Sequence, residues 1–233
     1  MVKRSMVVDP QVTAQPDEGA VEGFPVTVTR TGYTGDLGYE LWVRPEHAER
    51  LWDCLMERGH GHGVLPAGIL ALDIARVEAG LVMIAVDYVS SHHAVIESQK
   101  SSPYEIGLGW AVRLDKGDFI GKRALAAEQA KGSSWTFVGV QYDWRALEKL
   151  FAEEDLPPGV AGRASRSAVP AYEQASGNRT QIGHITSHTF SPILKQYIGI
   201  GQFQTPYAAM GSLVDVEVTV EFKRKLCPAR IVP

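Results

Sequence analysis

Cysteine is scarce in this 233-residue chain, which has only Cys54 and Cys227, far apart in sequence. Two such residues cannot form a disulfide framework, so the expectation is a reducing compartment. Long apolar runs are missing: none approaches the ~20 residues that a membrane-spanning helix needs. Lys3 and Arg4 are followed by no apolar stretch before Asp9, so the pattern of a secretory signal is absent too. Together these absences point to a cytoplasmic protein with no membrane partner. Excess positive charge is also lacking: 23 Lys and Arg face 27 Asp and Glu, for a net charge of −4 and a pI near 6.0. Nucleic acid is therefore not an expected partner, and the run Lys223-Arg224-Lys225 reads as a solvated strand end. There is no internal repeat and no low-complexity segment. What remains is ordinary globular composition, 45% hydrophobic and 21% charged, with length for one large domain or two small ones.

Residues 1–20 are polar and carry Pro10, Pro16, Asp17 and Glu18, the texture of a loose arm or linker. FPVTVTR (24–30) and YELWV (39–43) alternate in polarity and read as a hairpin with a long glycine-rich tip, GYTGDLG. Pro45 suits a first helical position, and Ala48, Leu51, Trp52, Leu55 and Met56 form an apolar stripe at helical spacing, with Gly59 as its stop. Residues 67–80, AGILALDIARVEAG, predict a second helix, apolar nearly all round and hence buried. LGWAVRLD (108–115) reads as a strand, and Asp118 reads as the cap of a helix in FIGKRALAAEQAKG. Beyond about residue 135, FVGVQY, SAVPAYE, IGHITS, YIGIGQF and SLVDVEVTVEF are short strands spaced by turns, as in a small antiparallel barrel or sandwich. ALEKLFAEEDLPPG interrupts them as a helical insertion or loop. The expected organisation is an arm at 1–20, an α+β domain at 21–130 and an all-β domain at 131–233.

Few residues suggest chemistry. The GYTGDLG tip lacks the Lys-Ser/Thr and the following helix of a phosphate loop; it is either a plain long turn or the backbone wall of a ligand site. Glu40 sits in a strand between apolar Tyr39 and Leu41. Such an acid is solvated, paired or used, and a carboxylate on a pocket wall can accept two N–H bonds from a flat heterocycle. Arg76, in an apolar helix, either binds a ligand carboxylate or pairs with Asp73 or Glu78. His60-x-His62, His92-His93 and His184…His188 have near-ligand spacing, but no carboxylate or Cys cluster completes a four-ligand set, so no metal is expected. Ser91 beside His92 and Ser187 beside His188 are neighbours in sequence only, and catalytic triads assemble in space.

Four ordered stretches, TRTGYTGDLGYE, GILALDIARVEAG, IGLGWAVRLDKGDFIGKRAL and GHITSHTFSPILKQYIGIG, resemble the aminomethyltransferase (glycine cleavage T-protein) family and its folate-dependent demethylase relatives, from about residue 24 to the C-terminus. The resemblance implies an α+β fold, the C-terminal half of a T-protein-like folate-binding domain followed by a small antiparallel β-barrel. It implies tetrahydrofolate as cofactor and transfer of a one-carbon unit to its N5. Glu40 would hold the pterin, Tyr33 would line the folate site, and Arg76 and Trp110 would support it. Thr186, Ser187, Ser191 and Pro192 match the family's T-S-x-x-x-S-P motif in the barrel.

Two departures from that pattern shape the expectation. Ala71-Leu72-Asp73 stands where the T-protein motif reads A-R-D, so one pocket arginine is missing; Leu72 is similar to the sarcosine and dimethylglycine demethylase branch. The stretch at 84–106 also looks longer than its T-protein counterpart. Family chains begin with a segment that has no match here and that supplies half the folate core and an aspartate acting near N5, so no catalytic residue is assigned in this chain. The expectation is a subunit of a folate-dependent methyltransferase or demethylase, acting on an N-, O- or S-methyl substrate, whose far wall comes from a separately encoded chain. The alternative is a non-catalytic folate-binding or assembly protein that keeps the scaffold.

Overall fold

The computed structural model describes residues 12–13, 24–174 and 179–233. The chain divides into two compact units, the first reaching to Leu81 and the second running from Val82 to Pro233. Of the expected arm at 1–20, only Val12–Thr13 is described, and it forms β1 (Val12–Thr13); the rest lies outside the described residues.

In the first unit β1, β2 (Thr27–Thr29) and β3 (Glu40–Trp42) form an antiparallel sheet in that order. The hairpin follows its sequence signal, with Thr29 opposite Glu40 and Val28 opposite Leu41. Pro45 opens a short 3-10 turn, Pro45–His47, that runs into α1 (Ala48–His60). Here the fixed φ of proline and its missing N–H cost nothing. Phe24 stacks on His47 at 4.7 Å and lies under the Arg50 guanidinium, tying the chain before β2 to the start of α1. The helix runs through Gly59 to His60, with Gly61 as its cap, so it ends later than the expected stop. Of its apolar stripe only Leu51 is buried, while Trp52 and Leu55 are exposed.

α2 (Ile69–Glu78) corrects the expectation of an all-round buried helix. Ile69 and Leu70 are exposed, whereas Asp73, Arg76 and Val77 are buried. The polar residues lie on the covered face because they satisfy each other there.

The second unit holds α3 (Lys122–Lys131) and a closed six-strand barrel. LGWAVRLD is not a strand: Gly109–Ala111 is a 3-10 turn, held by local bonds such as Leu108 N–H to Pro103 O and Ala111 N–H to Leu108 O. Its alternation is real, since Val112 and Leu114 are half-buried between exposed neighbours, but among the described residues no strand pairs with it. Asp118 does not cap α3 either. The cap is Gly121 in a left-handed conformation, and Asp118 instead lies 3.8 Å from the Lys122 ammonium.

The barrel strands are β4 (Trp135–Tyr142), β5 (Val169–Glu173), β6 (Gln181–Ser191), β7 (Gln196–Gln204), β8 (Leu213–Val220) and β9 (Lys223–Val232). They close in the order β4-β7-β6-β5-β8-β9. Inward-facing Val138, Val140, Ile185, Phe203, Val216 and Ile231 fill the core, each side chain contributing about 1.5–3 kcal/mol of burial. Closure removes the sheet edges that an open sheet would expose. α4 (Trp144–Ala152) follows β4, its first turn capped by the Asp143 carboxylate, which accepts from Ala146 N–H. Lys225 of β9 ties down the end of α4 by donating to Leu150 O and pairing with Glu153 and Glu154. Lys223 and Arg224 are exposed, but Lys225 is not, so only part of the run is the solvated strand end expected of it. Neither Cys54 nor Cys227 is in a disulfide; Cys227 is fully buried in the barrel core, and burial pushes its thiol up to about 12.

Candidate functional site

The glycine-rich tip folds back on the end of α2. Gly35 is left-handed (φ +80°), and a Cβ there would stand 2.7 Å from the Ala79 side chain. Only glycine allows both that conformation and that approach. The tip thereby joins the hairpin carrying Tyr33 and Glu40 to the helix carrying Arg76, all within the first unit. Tyr33 is half-buried, Glu40 is exposed.

Around Glu40 a small polar relay crosses the hairpin: Trp42 Nε1 donates to Thr29 Oγ1 at 3.4 Å, and Thr29 Oγ1 donates to Glu40 Oε2 at 3.5 Å. Both contacts are long, so the carboxylate keeps most of its accepting capacity. Tyr39 and Trp42 of the same hairpin are themselves exposed. A carboxylate with that capacity can accept two N–H bonds from a flat heterocycle.

Arg76 is placed differently. Its side chain is 0% exposed, and Nε donates to Asp73 Oδ1 at 2.9 Å, with Nη1 reaching Leu81 O at 3.5 Å. Of the two readings open from sequence, the i, i+3 ion pair is formed. A cavity of about 490 Å³ opens beside the second half of α1, lined by Trp52, Leu55, Met56, Arg58 and Leu65 among others. None of Tyr33, Glu40 and Arg76 lines it.

Trp110 belongs to the second unit, where it stands 58% exposed on the 3-10 turn. That unit also contains a buried polar cluster with no signal in local sequence. An extra residue in β6, between Ile185 and Ser187, shifts its register against β7. Adjacent strand residues ordinarily point to opposite faces, but a bulge breaks that rule. Thr186 and Ser187 both donate to Asp87 Oδ1, at 2.5 and 2.7 Å. Asp87 Oδ2 accepts from Met83 N–H at 2.7 Å. The carboxylate thus closes the turn at 83–88 and fastens it to the barrel. The matched T-S pair was visible in sequence; its partner was not.

His184 and His188 both pack within the barrel strand β6. His188 Nδ1 lies 3.0 Å from Tyr197 Oη, and burial lowers its pKa to about 4. His184 packs edge-on near Trp135 and is shifted the same way by burial. Ser187 serves Asp87 rather than His188. Among the described residues no three His, Cys, Asp or Glu side chains gather as a metal-binding group.

Two family models match the chain: the GCVT N-terminal domain over residues 12–116 and the glycine cleavage T-protein C-terminal barrel domain over 161–233. The chain belongs to the glycine cleavage T-protein family. Among its T-protein relatives, the aminomethyltransferase of Desulfitobacterium hafniense (strain DSM 10664 / DCB-2) is 35% identical over 215 residues, covering 92% of this chain and 50% of the relative. The trimethylamine-oxide aldolase of Ruegeria pomeroyi is 33% identical over 217 residues, 92% of this chain and 23% of that protein. A crystal structure of the glycine cleavage system aminomethyltransferase T from Bartonella henselae superposes with a TM-score of 0.68 at 24% identity, covering 89% of this chain and 48% of that one. The T-protein fold, an α+β part with a closed barrel, is therefore shared. The chain spans about half the length of the aminomethyltransferases it matches.

Proposed function

We propose that this T-protein homologue is one part of a tetrahydrofolate-dependent one-carbon transferase. The reaction moves a methyl group from an N-, O- or S-methyl substrate to folate. Tetrahydrofolate, when bound, supplies N5 as the acceptor of the one-carbon unit. The observation that carries the reading is the placement of Glu40, an exposed carboxylate with spare accepting capacity, on the hairpin of a chain from this family. Glu40 holds the pterin N–H edge and Tyr33 lines the site; Trp110, which the resemblance also implies, belongs to the second unit. Arg76, held in a buried pair with Asp73, supports the site. The chain's own contribution to catalysis is orientation and exclusion of water around the acceptor.

Leu72, in the place of the T-protein arginine, favours the demethylase branch over glycine cleavage itself. A separately encoded chain supplies the rest of the folate domain, including the acid that works near N5. The supporting feature is the amount of uncovered apolar surface in the first unit, where Leu37, Trp42, Trp52, Leu65 and Ile69 are all exposed.

Calorimetric titration with tetrahydrofolate tests this. The chain with its partner is expected to bind, and Glu40→Gln to weaken binding by about 1.5–3 kcal/mol, the range for a hydrogen bond to a charged group. Unchanged affinity in Glu40→Gln would remove Glu40 from the site. Tight binding by the chain alone, with no turnover in any combination, would establish the non-catalytic alternative instead.

A further inference from the structure

In the second unit, Ala85 stands in the left-handed region (φ +63°), where a side chain crowds the following carbonyl. Strain of this kind persists only where the surroundings over-determine it. Here the turn is tied from several sides. Ala85 N–H donates to Tyr88 O, and Asp87 N–H donates to Met83 O. The Asp87 carboxylate, 2% exposed, accepts from Met83 N–H and from the Thr186 and Ser187 hydroxyls. The stretch that follows is fastened again nearby. Val89 bridges to Lys100, and Gln202 Nε2 donates to Ser101 Oγ at 3.4 Å. Gln202 of β7 lies opposite His184 of β6, two residues before Thr186, so both fastenings sit on one patch of the barrel wall. From Ser102 onward the chain forms a tight block. Ile106 N–H donates to Ser102 O, and Leu108 N–H to Pro103 O, with Ile106 buried. A Cβ on Gly109 would stand 2.7 Å from the Tyr104 ring, so the 3-10 turn lies directly on that ring. Trp110 rides on this turn, half open to solvent.

We infer that Asp87 is a positioning residue for Trp110. Together with Thr186 and Ser187 it clamps the start of the 83–111 stretch to the bulge of β6, and the Ser101 contact carries that hold on to the block beneath Trp110. Asp87 itself touches no ligand; it acts through the backbone it pins. An aromatic surface held on a pinned block loses little freedom when a flat ring stacks on it, so less of the contact energy is spent on ordering. The inference rests on the functional reading above for the use of Trp110, and on the hydrogen bonds alone for its placement.

The test labels the full chain with 5-fluorotryptophan and reads its five tryptophans by fluorine NMR, with Trp110→Phe assigning the Trp110 signal. Spectra are taken on the folded baseline of a urea curve. Asp87→Asn is expected to shift or split the Trp110 signal and to leave that of Trp144, which packs on Phe190, in place. Should Asp87→Asn fail to fold, Thr186→Val with Ser187→Ala removes the two hydroxyls from the other side of the clamp and should move Trp110 alike. Thr186→Ser, which keeps its hydroxyl, should not move it. Gly109→Ala, which drives a methyl at the Tyr104 ring, displaces the turn directly and should move the same signal. A lowered urea midpoint with the Trp110 signal unmoved makes Asp87 a matter of stability alone and overturns the inference, whether or not Gly109→Ala moves that signal. Failure of the functional reading is distinguishable: the signals behave as expected, and Trp110→Ala leaves tetrahydrofolate affinity unchanged.

Discussion

Arg76 and Asp73 form a buried pair whose partners cannot be removed singly without penalty. Both are nearly or fully buried, and they meet at 2.9 Å. Deleting one member of such a pair leaves a charge facing a low-dielectric surrounding, at a cost of about 3–5 kcal/mol. Asp73→Ala is therefore expected to destabilise the first unit by that amount, read as lost protease resistance at 24–81 and a lower denaturant midpoint. Asp87 makes a comparable case in the second unit. Asp87→Asn replaces an acceptor that serves two hydroxyls and an N–H, and should cost about 2–3 kcal/mol, measured by urea unfolding of the full chain. The two aspartates differed in legibility. Asp73 lies three residues before Arg76, so their pairing was among the readings the sequence left open. Asp87 meets its hydroxyl partners 99 and 100 residues away, beyond the reach of any local pattern.

Among the elements, β6 and β7 show how glycine spacing encodes close strand approach. A Cβ on Gly201 would run into the His184 carbonyl oxygen and the Ile185 backbone, beside the bulge. Backbone cannot yield as a side chain can, so Gly201→Ala should cost at least about 3 kcal/mol, the upper end for overpacking. Gly162→Ala, whose added methyl meets nothing within 4 Å, is the matched control and should leave the melting temperature unchanged. Most of the barrel strands were readable because they are short apolar runs bounded by turn residues. β9 was not separated from β8, because Pro228 within it reads against a strand and the tight turn at Glu221-Phe222 carries neither Gly nor Asn. Both turn residues nonetheless adopt positive φ, 46° and 61°. The misread stretch at 108–115 had the alternation of a strand but, among the described residues, no strand beside it to pair with. α2 was misplaced in orientation rather than in extent: its composition gave no sign that the polar residues would face inward.

For the whole molecule, acid is the expected weak point of the second unit. His188 has its pKa lowered by burial to about 4 from an ordinary 6.5, and His184 shifts in the same direction. A histidine depressed in the folded state takes up its proton more readily in the unfolded chain. Stability from this source is complete above about pH 6.5 and is lost as pH falls toward 4. For His188 the full loss is about 3 kcal/mol. Urea midpoints measured across that window should fall with pH, and His188→Gln, which can still reach the Tyr197 hydroxyl, should flatten the fall. The overall charge and the lack of long apolar runs were plain from composition; among the described residues no helix is long and apolar enough to cross a membrane. Of the candidate site residues read from sequence, Tyr33, Glu40 and Arg76 fall in the first unit and Trp110 in the second, a division that local periodicity does not carry.

The two thiols make the molecule its own reporter. Alkylation requires a thiolate, and Cys227, sealed in the barrel with its pKa near 12, can react only when the strands part. Cys54 is half-buried beside the cavity of the first unit and needs no such opening. Mass spectrometry after timed exposure to iodoacetamide should therefore yield two separate clocks from one unmodified sample, a fast one for α1 and a slow one for the barrel. Engagement of the first unit by another chain would be seen as a delay in the fast clock alone.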